Sequence, residues 1–286
     1  MAFLAASSPA AGEGSGGGLT DSDMRHQPRT DAIRVERLGK TFTTADGIVT
    51  ALENLDFAIE EGEFLSIVGP SGCGKSTLLM CIAGLIEASH GSIAVGGRRV
   101  SGPVTNLGIV FQEPLLLDWR TVLGNVLFQI EMRGLDPKAY EGRARELLNR
   151  VGLSGFEGKS PWELSGGMRQ RVAICRALIH DPPLLLMDEP FGALDTLTRD
   201  QMNIDLLRLC AETGKTALFI THSISEAIFL SDRVLVMAAK PGRIIAELPI
   251  AFAAPRRLSL RTTPEFAELE RQIYALFRSI GVLRDE

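Results

Sequence analysis

Hydrophobic positions change their spacing several times along the chain, and each change predicts an element. The stretches "AIRVERLGKTF" and "ALENLDFAIEEGEFLSIVG" alternate apolar and polar residues between turn formers, which predicts several short strands up to Val68. After Lys75 the period lengthens. "STLLMCIAGLI" is apolar over a helical length with few breakers, and strand candidates "GSIAVGG" and "LGIVFQ" follow it. Residues 121–153 are mostly helical in pattern, with "TVLGNVLFQIEMRG" and "PKAYEGRARELLNRVGL" joined at a turn punctuated by Gly and Pro. From "PLLLMDEP" onward the alternation returns as a strand over 184–188, a helix near 196–212, the strand "TALFITH", a short helix "SISEAIFLS", and the strands "RVLVMAA" and "GRIIAELPI". Apolar strands alternating with helices predict an α/β fold on a mostly parallel sheet covered on both faces. Near the end, "TPEFAELERQIYALFRSI" sets Phe266, Leu269, Ile273, Leu276, Phe277 and Ile280 at helical spacing, an amphipathic helix expected to pack on its own domain.

Composition adds limits. The first 30 or so residues are rich in Gly, Ala and Ser without periodicity, so a disordered tail is expected over residues 1–30. The remainder, in a chain of 286 residues that is 45% hydrophobic and 23% charged, can bury a sizeable core. No apolar run approaches the ~18 to 20 residues of a membrane helix. The start "MAFLAASSPAAGEGSGGG" lacks the basic flank of a secretory signal, so a cytoplasmic protein is expected. A net charge of -5 argues against broad nucleic-acid binding. Cys73, Cys81, Cys175 and Cys210 form neither a CxxC pair nor a metal-ligand spacing, and read as reduced thiols. Cys73 is expected to be the most reactive, because it lies in an anion-binding loop at a helix N-terminus.

That loop is "GPSGCGKST", residues 69–77, between a predicted strand and a predicted helix. Gly69, Gly74, Lys75 and Ser76 match G-x-x-x-x-G-K-[ST], a coincidence expected in about 1 chain in 100 of this length. Glycines let backbone N–H groups of the loop, those of Ser71, Gly72, Cys73 and Thr77 included, crowd around phosphate oxygens, with Pro70 part of the same nucleotide-binding loop; Lys75 reaches the outer phosphates, and the Ser76 hydroxyl can coordinate magnesium. "LLLMDEP" ends an apolar strand with Asp188 and Glu189, two carboxylates at the carboxyl edge of the predicted sheet. Alone, this pair reads as a solvated acidic turn capping the next helix. Beside the phosphate loop, Asp188 reads as a magnesium ligand and Glu189 as the group that polarises an attacking water.

The segment "ELSGGMRQRVAICRALIHDPP", with Gln112 in "VFQEP", "GALD" at 192–195 and His222 in "ITHS", resembles the nucleotide-binding subunit of ATP-binding-cassette (ABC) proteins over roughly residues 32–250. The resemblance implies a P-loop NTPase domain of the ABC type over 31–250. It would combine a mostly parallel core sheet with an antiparallel β subdomain and a helical subdomain insert over about 113–165, and leave a tail at 251–286. It further implies that Phe42 stacks on adenine, that Gln112 contacts magnesium or the lytic water, and that Ser165, Gly166 and Gly167 open a helix binding the γ-phosphate held by an opposing subunit. Asp195 would cross that interface, and His222 would hold the γ-phosphate and orient Glu189. The active form would be a head-to-tail homodimer using ATP and Mg2+. Met168 stands where many cassettes carry Gln.

"PLLLDWRTVLGNV", "MDEPFGALDTLTR" and "SDRVLVMAAKPGRI" resemble the importer branch serving nitrate, aliphatic sulfonates and taurine. What this implies is a motor subunit on the cytoplasmic face of the membrane, meeting a separate permease through residues 113–133 and served indirectly by an extracytoplasmic solute-binding protein. The stretch after His222 is short for the regulatory domain of sugar-importer ATPases. The alternative is a soluble cassette ATPase acting on ribosomes or DNA. Such proteins commonly fuse two cassettes or insert a coiled coil, whereas this chain has one copy of each motif and no sustained heptads. Lys75, Asp188, Glu189 and His222 together argue against a catalytically inactive cassette.

Overall fold

The computed structural model describes residues 30–45, 47–192 and 194–282, so the tail expected over residues 1–30 lies, apart from Thr30, outside the described residues. The chain opens with two 14-residue strands, β1 (Asp31–Thr44) and β2 (Gly47–Glu60), where several short strands were expected. They pair antiparallel, with register shifts between Asp31 and Ile33, Val35 and Leu38, Leu38 and Lys40, and Lys40 and Thr41. Each shift interrupts the two-residue alternation, which is why the sequence pattern looked fragmented. Next come β3 (Phe64–Val68), α1 (Lys75–Ile82), β4 (His90–Val95), a two-residue β5 (Arg98–Arg99) that the pattern did not announce, and β6 (Gly108–Val110). Helix α1 stops short of the expected Ile86 because Gly84 turns left-handed at φ 69°, packed so closely that a Cβ would lie 1.9 Å from the Gly102 carbonyl oxygen. The chain continues through α2 (Val122–Met132), α3 (Pro137–Arg150), α4 (Gly166–Leu178), β7 (Leu184–Asp188), α5 (Thr196–Thr213), β8 (Thr216–Thr221), α6 (Ile224–Leu230), β9 (Arg233–Ala238), β10 (Arg243–Pro249) and α7 (Pro264–Ser279).

These strands form a four-stranded antiparallel sheet, ordered β2-β1-β4-β5, and a six-stranded sheet, ordered β10-β9-β3-β8-β7-β6. The larger sheet is parallel except at β10, which pairs antiparallel with β9. Its alternate residues serve two cores. Leu65, Ile67, Leu186, Leu218, Ile220 and Leu235 face α1 and the antiparallel sheet. Phe64, Val68, Leu185, Met187, Phe219 and Val234 face α5, α6 and α7. A third cluster joins α2, α3 and one face of α4 through Val126, Ile130, Leu148, Val172 and Cys175. Among the described residues, no helix is long and apolar enough to cross a membrane.

The C-terminal helix does pack on its own domain. Phe266, Ile273 and Phe277 are buried in the core beside α5 and α6, while Ile280 remains 38% exposed. Two arginines secure the segment before it. Arg256 donates to the Phe229 and Ser231 carbonyls, and Arg261 pairs with Asp200 at 2.5 Å while lying over the Phe229 ring. Ile273→Ala should therefore cost ~2 to 5 kcal/mol in denaturant unfolding. Ile280→Ala should change stability by no more than about 0.5 kcal/mol. Equal, small effects at both positions would mean that α7 is not docked as described.

Candidate functional site

Strand order determines where the chemistry gathers. β8 lies between β3 and β7, and β6 borders β7, so four strands deliver their following residues to one carboxyl edge. Val68 pairs with Thr221, Asp188 with Ile220 and Val110 with Met187. The edge thus receives the loop 69–77 after β3, His222 after β8, Asp188 and Glu189 at the end of β7, and Gln112 after β6.

The loop 69–77 is held tightly from behind. A Cβ on Gly69 would lie 2.7 Å from the Met237 carbonyl oxygen and 2.9 Å from Cys73 Sγ. Gly74, at φ 94°, caps α1 without a side-chain bond and leaves 2.8 Å between such a Cβ and the Ala51 carbonyl oxygen. Gly242, which sequence reading missed, approaches from β10's side, where a Cβ would sit 2.2 Å from the Cys73 carbonyl oxygen. Its N–H donates to the Ala51 carbonyl at 3.0 Å. The "KPG" turn was the available sign of it. Ser71, Gly72 and Ser76 remain exposed, while Pro70, Gly74 and Thr77 are half-buried. The first turn of α1 carries no acidic residue, so its N–H groups and partial positive charge face an anion unopposed.

Lys75 lies at the centre. Only 5% exposed, its Nζ donates to the Gly69 and Pro70 carbonyls at 2.9 and 3.1 Å and stands 3.6 Å from Glu189 Oε1. The other Glu189 oxygen, Oε2, lies 2.8 Å from His222 Nδ1. Glu189 therefore bridges the loop's cation and the imidazole. It does so from a left-handed backbone, φ 44°, while its N–H still bonds the Ile220 carbonyl at 2.8 Å. A non-glycine residue in that conformation costs ~1 to 3 kcal/mol and persists where surroundings hold it in place. The Gln112 amide and Glu189 both border Gly192, where a Cβ would lie 3.9 Å from Gln112 Nε2 and 3.9 Å from Glu189 Oε2.

Asp188 is 7% exposed, which excludes the solvated acidic turn. Burial pushes its carboxyl above the ordinary value and the Glu189 charge adds to the rise, while a hydrogen bond from Ser76 and the Lys75 cation oppose it. Its Oδ1 is buried without a hydrogen-bond partner. A carboxylate oxygen so placed, beside a serine hydroxyl, suits a divalent cation that completes its shell with phosphate and water oxygens.

The thiolate stabilisation expected at Cys73 is outweighed by burial. Cys73 is 1% exposed, and burial raises its thiol pKa more than neighbouring Lys75 lowers it. A helix N-terminus favours thiolate only where water or a ligand can reach the sulfur. Cys81 is raised as well, and burial takes Cys175 and Cys210 to about 12. All four cysteines are buried free thiols.

The remaining candidates lie elsewhere on the surface. Ser165 caps α4, accepting from the Met168 N–H at 3.2 Å, and leaves Ser165 and Gly166 exposed with Gly167 half-buried. Asp195 caps α5 through Thr198, which holds its carboxyl below the usual range. Among the described residues, no hydrogen bond or ion pair joins these caps to Lys75, Asp188, Glu189 or His222. Phe42 is a half-buried member of the β1–β2 hairpin, paired with Val49, and the Lys40 ammonium stands 4.9 Å from its ring centre. The same hairpin backs Gly74 through Ala51 and Leu52.

Comparison with known proteins agrees with this geometry. The family model described as ABC transporter matches residues 52–192. The chain is 43% identical over 267 residues to an uncharacterized ABC transporter ATP-binding protein of Methanocaldococcus jannaschii, spanning 93% of this chain and 97% of the relative. It is 47% identical over 260 residues to the taurine import ATP-binding protein TauB of Rhizobium johnstonii, spanning 88% and 98%. Among solved structures, a dimeric ATP-binding cassette in a post-hydrolysis state with ADP and Pi superposes with a TM-score of 0.70 at 32% identity, over 77% of this chain and all of that one.

Because the folded-state pKa of Asp188 is raised, its charge destabilises the nucleotide-free protein above that value, and the penalty disappears as falling pH protonates it. In the presence of a chelator, Asp188→Asn should raise the thermal midpoint at neutral pH. The gain should shrink in acid. A variant less stable than the parent at neutral pH would contradict the assignment.

Proposed function

The chain belongs to the ABC transporter family of ATP-binding proteins, and from that premise we propose how its own residues carry out the ATP cycle. It is an ATP-hydrolysing motor subunit of an ABC importer, uses ATP with Mg2+, dimerises and works with a membrane permease. In our reading, the loop 69–77 and the start of α1 bind the phosphates through backbone N–H groups, and Lys75 exchanges its carbonyl partners for the β- and γ-oxygens. Ser76 and Asp188 would hold the magnesium, with Gln112 close to it; the bound ion neutralises charge on the phosphate oxygens. Glu189 orients and deprotonates the attacking water. His222, bonded to its Oε2, fixes that carboxylate and reaches the γ-phosphate. Ser165, Gly166 and Gly167 offer the exposed start of α4 to the nucleotide of the opposing subunit, Asp195 lies at that interface, and Phe42 stacks on the adenine. The observation that carries this reading is the Lys75–Glu189–His222 chain at the sheet's carboxyl edge.

For cargo, we propose a small organic anion of the taurine or alkylsulfonate kind. Support comes from relatives named as taurine import proteins, aligned over most of both chains. A solute-binding protein outside the membrane would deliver it. The groove of about 540 Å³ between Leu85, Leu107, Phe111, Leu115, Phe128 and Met132 suits the permease, since it lies on both sides of Gln112 in sequence and keeps Leu85, Leu115 and Met132 exposed. Docking there would keep the protein on the cytoplasmic face of the membrane. The ribosome or DNA reading has no comparable support in these relatives, and the net charge of -5 weighs against it.

Glu189→Gln tests the assignment, because the amide keeps the shape of the carboxylate but cannot accept a proton from water. Hydrolysis should fall by a factor of ~10² to 10⁴. ATP binding should survive, and the uncleaved nucleotide should prolong the dimer by linkage. Adding Ser165→Arg should then return the protein to monomer in analytical ultracentrifugation with ATP. A Glu189→Gln protein that stays monomeric and turns over normally would overturn the reading.

A further inference from the structure

Two charged residues outside the proposed ATP site connect two of its loops. Arg199, in the first turn of α5, folds its guanidinium back over the turn that follows Glu189. Nε donates to the Phe191 carbonyl at 3.2 Å, and Nη2 donates to the Leu194 carbonyl at 2.9 Å and, more weakly, to Gly192 at 3.4 Å. Facing it is Glu226 in the first turn of α6, with a carboxylate 7% exposed. Its Oε2 accepts the Thr221 hydroxyl at 2.7 Å, and Thr221 Oγ1 in turn accepts the Ser223 N–H at 3.0 Å. That hydroxyl therefore grips the chain on both sides of His222. Glu226 Oε1 is buried and has no hydrogen-bond partner; Arg199 Nε stands before it at 3.6 Å.

A buried carboxylate with one unpaired oxygen is costly, and the packing of these helices does not call for it. Met202 and Leu206 of α5 and Ile224 and Ile228 of α6 already share the same core. What the pair adds is a link between the carbonyls of Phe191, Gly192 and Leu194, on one side of Glu189, and the strand end that presents His222 to Glu189. We infer that Arg199 and Glu226 are positioning residues for ATP hydrolysis. They brace that turn against the loop of His222, so the imidazole stays on Glu189 Oε2 and the turn keeps its place for the opposing subunit. The inference rests on the roles proposed above for Glu189 and His222.

Arg199→Lys and Glu226→Gln test it in the full chain. Glu226→Gln retains an acceptor for Thr221 but loses the attraction for Arg199, and Arg199→Lys keeps the charge but cannot span three carbonyls. Each should lower kcat about 10- to 100-fold, the scale of a small misplacement of catalytic groups, with KM for ATP unchanged. The double variant should be no slower than the slower single one. The ring 15N signals of the chain's four histidines supply the independent readout, with His222 identified by its loss in His222→Ala. In both variants its Nδ1 signal should move toward that of a solvent-exposed imidazole. Additive losses with an unmoved His222 signal, or kcat and KM changing together, would overturn the brace. His222→Ala separates the two failures. Parental turnover there would refute the site itself, whereas an inactive His222→Ala beside fully active Arg199→Lys and Glu226→Gln would refute only the brace.

Discussion

A lysine ammonium withdrawn from water organises this molecule's edge. Removing such a charge from solvent costs several kcal/mol unless the surroundings answer it, and Lys75 is answered by two carbonyls of its own loop and, at longer range, by Glu189. None of these is a full counter-ion in close contact. The cation is held in place with capacity to spare, which is the state that a polyphosphate can exploit. Everything that presses on the loop serves this arrangement. Gly69, Gly74 and Gly242 let the backbones of Met237, Ala51 and Cys73 meet where a side chain would separate them.

The same constraint explains why the carboxylates differ. Asp188 continues its strand, becomes buried and rises in pKa beside Ser76; one residue later the backbone turns left-handed and Glu189 swings between Lys75 and His222. Adjacent residues of one chemical type thus face different environments, one suited to a cation and one to a water. The parallel order of β3, β8 and β7 makes this possible, because it places the ends of three distant sequence segments side by side.

Much of this was legible in the chain. Runs such as "FLSIV" and "LLLMD" are apolar but for Ser66 and the closing Asp188, and the residues with chemistry stand where those runs stop, so strand ends and candidate groups could be read together. Other features depended on contacts across the fold. Four register shifts between β1 and β2 broke an alternation that belongs to two long strands. Cys73 looked reactive from its place before a helix, but Gly69 and Gly242 bring backbone down over it. Arg199 and Glu226 carry no motif of their own, since their partners are carbonyls and a hydroxyl supplied by other segments. Gly242 had only the "KPG" turn to mark it, because the backbone it meets, Cys73 and Ala51, comes from distant segments.

We propose that ATP is hydrolysed in sites shared between two copies, Lys75 from one and Ser165 from the other. Mixing purified Lys75→Ala and Ser165→Arg chains, then measuring ATPase activity after subunit exchange, tests it most directly. Each variant alone lacks a complete site, but a mixed dimer joins an intact Lys75 to an intact Ser165 at one of its two sites. Turnover that neither variant has by itself should appear in the mixture. A mixture as inactive as its components, with exchange verified, would contradict the shared site.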